Sequence, residues 1–182
     1  TPTFNDNCDG SGLSGELIAG FAPGETFPVG TTTVTYEYTD VAGNGTATCS
    51  FDVTVTDNEQ PTPVCQDITV QLDASGNATI TANDIDNGSS DNCGIADISI
   101  DNTSFDCTDI GDNTVILTVS DVNGNISTCN ATVTVEDTIK PTAQCRDITI
   151  QLDAAGNASI TVNDIDNGSF DNCGISSIEV TP

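Results

Sequence analysis

Apolar and polar residues alternate in short runs along most of this chain. Val34, Tyr36 and Tyr38 fall on one face of one run, and Cys49, Phe51, Val53 and Val55 on one face of the next. Ile68, Val70 and Leu72 repeat the pattern, as do Val115, Leu117 and Val119, then Cys129, Ala131, Val133 and Val135. A period of two sends successive side chains to opposite faces, so these runs predict half-buried antiparallel strands. Thr and Val dominate them, as strands prefer. No run keeps a helical apolar stripe for three turns. Asp-x-x-Gly-Asn recurs between the runs, at 40–44, 73–77, 121–125 and 153–157. The Asp accepts hydrogen bonds from the turn's own N–H groups and the Gly supplies a left-handed residue, so all four read as hairpin turns.

The chain also repeats itself. Residues 58–102 and 138–182 align without a gap at an offset of 80. Residues 29–57 echo 110–137, with one extra residue in the earlier stretch, and "NDNC" at 5–8 echoes "SDNC" at 90–93. The expected organisation is the back half of one unit (1–57), a complete unit (58–137) and the front half of a third (138–182). That phase is the one an excerpt from a longer array would show. Short strands at regular spacing predict an all-β fold of tandem antiparallel β-sandwich modules. "NEQP" (58–61) and "TIKP" (138–141) read as linkers, since Pro ends strand pairing and stiffens a joint.

Charge changes the picture of partners. There are 28 acidic residues against two basic ones, Lys140 and Arg146, for a net charge of −26. Nucleic acid and anionic lipid both need a positive surface, so neither is an expected partner. No run of about 20 apolar residues is present for direct insertion into a membrane. The expected partners are neighbouring repeats of the same chain and a surface glycan or protein ligand.

Eight cysteines occur with no His and no Cys-x-x-Cys, which points to disulfides in an oxidising, extracellular setting. Repeat equivalence suggests pairs. The first unit holds only Cys8 and Cys49, which correspond to Cys93 and Cys129. Pairing Cys8 with Cys49 then implies Cys93 with Cys129, leaves Cys65 for Cys107, and leaves Cys145 and Cys173 unpaired within this chain. A rival scheme, Cys65–Cys93, Cys107–Cys129 and Cys145–Cys173, uses those six residues but breaks the equivalence. A bridge matters here because an 80-residue unit with few aromatics buries a small core.

"DNCG", "FPVGTTTVTYEYTDVAGNGTATCSFDVTVTD" and the starts "PTPVCQDI" and "PTAQCRDI" resemble the HYR (hyalin repeat) family of Ig-like modules. The 58–137 unit departs from the family in "LDASGNATIT" and in its extra Cys107. It is similar to the tandem repeats of very large secreted surface proteins of Bacteroidetes. The resemblance implies an extracellular, tandemly arrayed, non-catalytic Ig-like module for adhesion or spacing, attached at a bacterial outer membrane. The alternatives are an Ig-like module that binds a carbohydrate or protein ligand, and an accessory domain of a secreted enzyme.

Candidate chemistry is sparse. Without His, a Ser or Cys triad of the familiar kind is excluded. No cofactor is required, and calcium is the one candidate ion. In an extended "NDID" segment Asp84 and Asp86 project to one face, with Asp91 near; Asp164, Asp166 and Asp171 repeat them. Calcium takes six to eight oxygens at loose geometry. Asp57, Glu59 and Asp137 form a second candidate set at the joints. The plainer role of Asp91 and Asn92 is to cap a turn ahead of Cys93. "DTI" at 137–139 resembles the Bacteroidetes O-glycosylation signal, with Thr138 as acceptor.

Overall fold

The alternating runs form the strands they predict. The computed structural model describes residues 1–181 in two compact units, Thr1–Asn58 and Glu59–Pro182. In the first, β1 (Thr3–Asp6) and β2 (Gly10–Ser14) make a two-stranded ribbon. β3 (Glu16–Ala19), β4 (Gly30–Thr39) and β5 (Thr46–Val55) form an antiparallel sheet in that order. Val34 and Tyr36 are buried on it, whereas Phe51 is 45% exposed.

The second unit is a β-sandwich. Its strands are β6 (Ile68–Gln71), β7 (Asn77–Thr79), β8 (Ile95–Ile100), β9 (Ser104–Asp106), β10 (Gly111–Asp121) and β11 (Ile126–Glu136). One sheet runs β6-β11-β10-β8 and the other is β7-β9. Val115, Leu117, Val119, Ala131, Val133 and Val135 project inward from the large sheet and are buried with Leu72, Ile80, Ile85 and Phe105. The inward alternation read from the sequence therefore holds residue by residue. Single helical turns α1 (Ala82–Ile85) and α2 (Val162–Ile165) lie in the two "NDID" stretches. They replace the extended conformation expected there. Among the described residues no helix is long and apolar enough to cross a membrane.

Two pairings differ from the expectation. β6 lies parallel to β11, with Ile68 opposite Val133, because the chain crosses to the other sheet and back between them. The turn at 73–77 keeps the expected hydrogen bonds, Ser75 N and Asn77 N donating to Asp73 Oδ1 at 2.8 and 3.0 Å. It joins strands of different sheets, however, and is a corner and not a hairpin. The turns at 40–44 and 121–125 do close the hairpins β4-β5 and β10-β11.

The parallel pairing also decides the disulfides. It carries Cys65, just before β6, alongside Cys129 on β11, and these two are bonded. Thr132 N donates to Asp67 Oδ1 at 2.7 Å and fixes the same register. Closing this loop of 64 residues stabilises by about 4 kcal/mol on the chain-entropy model. Cys107 is bonded to Cys173. The expected pairs Cys93–Cys129 and Cys65–Cys107 are thereby corrected, as is an unpaired Cys173. The expected Cys8–Cys49 pair is absent: both are exposed thiols, Cys8 in the turn after β1 and Cys49 within β5 of the other sheet. Cys145 and Cys93 are exposed.

Residues 138–181 reproduce part of the front half of the 58–137 unit. Bridges Thr142↔Phe170 and Cys145↔Asp166 reproduce Thr62↔Ser90 and Cys65↔Asp86. Ile148, Ile150 and Leu152 are exposed, though, and form no strand. Their counterparts Ile68, Val70 and Leu72 are covered because β11 pairs beside them. The second expected boundary, 137/138, is not a break between compact units, since the Cys107–Cys173 bond crosses it.

Leu72 is 3% exposed and its counterpart Leu152 is 69% exposed. Leu72→Ala should destabilise the second unit by about 2–5 kcal/mol, while Leu152→Ala should stay within about 0.5 kcal/mol. Denaturant melts of the two variants measure the contrast, and equal costs would refute the assigned core.

Candidate functional site

The carboxylates divide into those consumed by local backbone and those that gather. Asp84 belongs to the first kind. Thr81 N and Thr81 Oγ1 both donate to its Oδ2 at 2.7 Å across the start of α1. Asp164 does the same with Thr161 at 2.7 Å. Asp86 accepts from Ser89 N at 3.0 Å and Asp166 from Ser169 N at 3.0 Å and Ser169 Oγ at 2.6 Å. The helical turn spends Asp84 on its N-terminus and Asp86 on the turn that follows. They do not form the shared oxygen face expected of an extended segment.

Hydrogen bonds to the ionised form favour it. The Thr81 backbone N–H, followed by its hydroxyl, holds Asp84 below the ordinary carboxylate range, and Thr161 does so for Asp164. Ser89 lowers Asp86, and Ser169 lowers Asp166. The Ala42 N–H leads in lowering Asp40. Asp121 is 3% exposed. Burial raises it, and hydrogen bonds from Asn125, Asn123 and Gly124 outweigh that and lower it.

Asp91 and Asp171 do shape the turns before Cys93 and Cys173. Asp91 Oδ1 accepts from Cys93 N at 2.8 Å and Gly94 N at 3.0 Å, and Asp171 Oδ1 from Cys173 N at 2.9 Å. Their other oxygens, Asp91 Oδ2 and Asp171 Oδ2, are buried with no hydrogen-bond partner. Carboxylate oxygens of Asp91 and Asp121 lie within 4.8 Å of one another. The counterparts in the first unit, Asp6 and Asp40, meet in the same way and are joined by Asp9. Tyr38 donates its hydroxyl to Asp9 Oδ2 at 2.9 Å, which pushes its pKa up to about 12. The residues missed by the sequence reading are thus Asp6, Asp9, Asp40 and Asp121. Asp40 and Asp121 sit in turns whose chemistry already accounted for an Asp, and their proximity to the "DNC" carboxylate is a tertiary fact.

Each joint residue has its own local setting. Glu59 Oε2 accepts from Asn92 Nδ2 at 2.6 Å. Asp137 Oδ1 accepts from Ile139 N at 3.0 Å and Asn172 Nδ2 at 3.2 Å. Asp57 is partly buried at the end of the first unit. Thr138 is exposed, its hydroxyl 3.3 Å from Gln71 Oε1.

Residues 1–55 match the HYR domain. Hyalin of Strongylocentrotus purpuratus is 31% identical over 146 residues, 78% of this chain and 12% of that protein. Hyalin of Lytechinus variegatus is 31% identical over 169 residues, 88% of this chain and 31% of that protein. The chain therefore spans less than a third of either relative. Both likenesses support an HYR repeat, and both reach well past the 1–55 match.

Asp84 and Asp164 have folded pKa values below the unfolded value of about 3.9. Their contribution to stability is present above that value and is lost as pH falls through the lower folded one. Urea midpoints of the second unit should fall between pH 5 and pH 2, and the Asp84→Asn, Asp164→Asn double variant should show a shallower fall. Parallel profiles would show that these carboxylates do not carry the acid sensitivity.

Proposed function

We propose that this chain is a structural and adhesive segment of a long extracellular protein, a non-catalytic stalk of tandem modules. The observation that carries the reading is the recurrence of one local pattern at an offset of 80 residues, in which Thr142↔Phe170 and Cys145↔Asp166 reproduce Thr62↔Ser90 and Cys65↔Asp86. The hyalin likenesses support it, since they cover most of this chain yet a minor part of either relative. The mechanism is mechanical: paired strands resist shear, bridges limit the chain that force can draw out, and joints set reach. Its partners are neighbouring repeats and a surface glycan or protein ligand. Placement on a Bacteroidetes-type cell surface rests on the resemblance of the 58–137 unit alone.

Single-molecule stretching tests it. The bonds Cys65–Cys129 and Cys107–Cys173 overlap in sequence, so the taut oxidised path from 65 to 173 runs through 107–129 only. Reduction should lengthen the unfolded contour by roughly 30 nm, at 3.3–3.6 Å per residue. Equal oxidised and reduced lengths would defeat the mechanical reading.

A second part of the reading concerns calcium. It is favoured by the gathering of Asp6, Asp9 and Asp40 in a chain of net charge −26. The partnerless buried oxygens of Asp91 and Asp171 point the same way. Calcium added to chelator-treated protein in low-salt buffer should raise the unfolding temperature, and Asp40→Asn should diminish the rise in the first unit. No change on chelation would dismiss calcium at every one of these positions.

A further inference from the structure

We infer that the "DNC" tip of one repeat is a plug for the repeat before it, seated against the 73–77 corner and locked there by a disulfide from Cys107. Cys107 belongs to the 58–137 repeat. Cys173 belongs to the next, where it is the counterpart of Cys93. Their bond therefore crosses from one repeat to its successor.

The seat is built from several groups. Asn172 Nδ2 donates to the Asp73 carbonyl and to Asp137 Oδ1, each at 3.2 Å. The Asn172 carbonyl lies 3.5 Å from Cys107 Sγ. Gly76 makes room: a Cβ there would meet Cys107 Sγ at 2.7 Å and the Asn172 carbonyl oxygen at 3.0 Å. Its counterpart Gly156 stands in the same left-handed turn with nothing within 4 Å. The tip responds as a plug should. Asn172 and Cys173 are partly buried, whereas Asn92 and Cys93 are exposed.

The first repeat has "ETFPVG" where "FDCTDIG" carries Cys107. A repeat thus declares by one residue whether it can lock its successor. The role of the lock in a long array rests on the stalk reading above; the bond and its seat stand apart from that reading.

Trypsin gives a direct test, because Lys140 is followed by Pro141 and Arg146 is the other basic residue. Digestion of denatured, thiol-alkylated protein cuts after Arg146 and frees 147–182, whose one cysteine is Cys173. Without reductant this peptide should stay tethered to 1–146, and reductant should release it. Cys107→Ser should release it without reductant; Cys145→Ser and Cys93→Ser should not. Gly76→Ala should lower the tethered fraction, with Gly156→Ala as the control for turn strain. Release from the unaltered protein, or tethering that survives Cys107→Ser, would overturn the lock. Equal tethering in the two glycine variants would overturn the seat. Stretching behaviour does not enter these outcomes, so the lock and the stalk fail separately.

Discussion

The inward column of β11 is the surface on which the second unit assembles. Cys129, Ala131, Val133 and Val135 stand in one row, facing the core. β10 pairs along one edge of that strand and β6 along the other. Cys65 is bonded to the head of the row. None of these side chains is large, and the chain has no Trp. Dispersion from so little volume is modest, so the covalent bond and the two-sided strand pairing together do what a bulkier core would do alone. The similar run at Ile148 and Ile150 forms no strand.

Alternation made the strands legible and, in the second unit, which residues face inward; Cys49 and Phe51 of β5 are exposed. It could not separate parallel from antiparallel neighbours, because period two is common to both. That ambiguity cost the pairing of β6 with β11 and, with it, the Cys65–Cys129 bond. The corner at 73–77 was misread for a related reason. Asp73 and Gly76 announce a turn, and a turn's residues do not say which sheet the chain enters next. The helical turn at 82–85 is shorter than any apolar stripe can reveal.

Cysteine equivalence failed more instructively. It took the kinds of partner from Cys8 and Cys49, which are exposed and not bonded to each other. The kinds themselves therefore came out differently: Cys129 joins Cys65 within one repeat, and Cys107 joins Cys173 of the next. The carboxylates carried a parallel lesson. The acidic look of "NDIDNGSSDNCG" was mostly hydrogen-bond bookkeeping by Asp84, Asp86 and Asp91, while Asp40 and Asp121 passed for ordinary turn residues. Distance in the fold, not density in the sequence, gathered the charges.

The cover that β11 gives Ile68, Val70 and Leu72 has a consequence for how such a chain changes length. The front of a repeat depends on its own back. Loss or gain of an arbitrary number of residues would part the two. Unequal crossing-over between two repeats escapes this, because a breakpoint at any position rejoins a front to a matching back. The period, more than any single residue, is what inheritance must copy faithfully: such chains should differ in length by whole multiples of it.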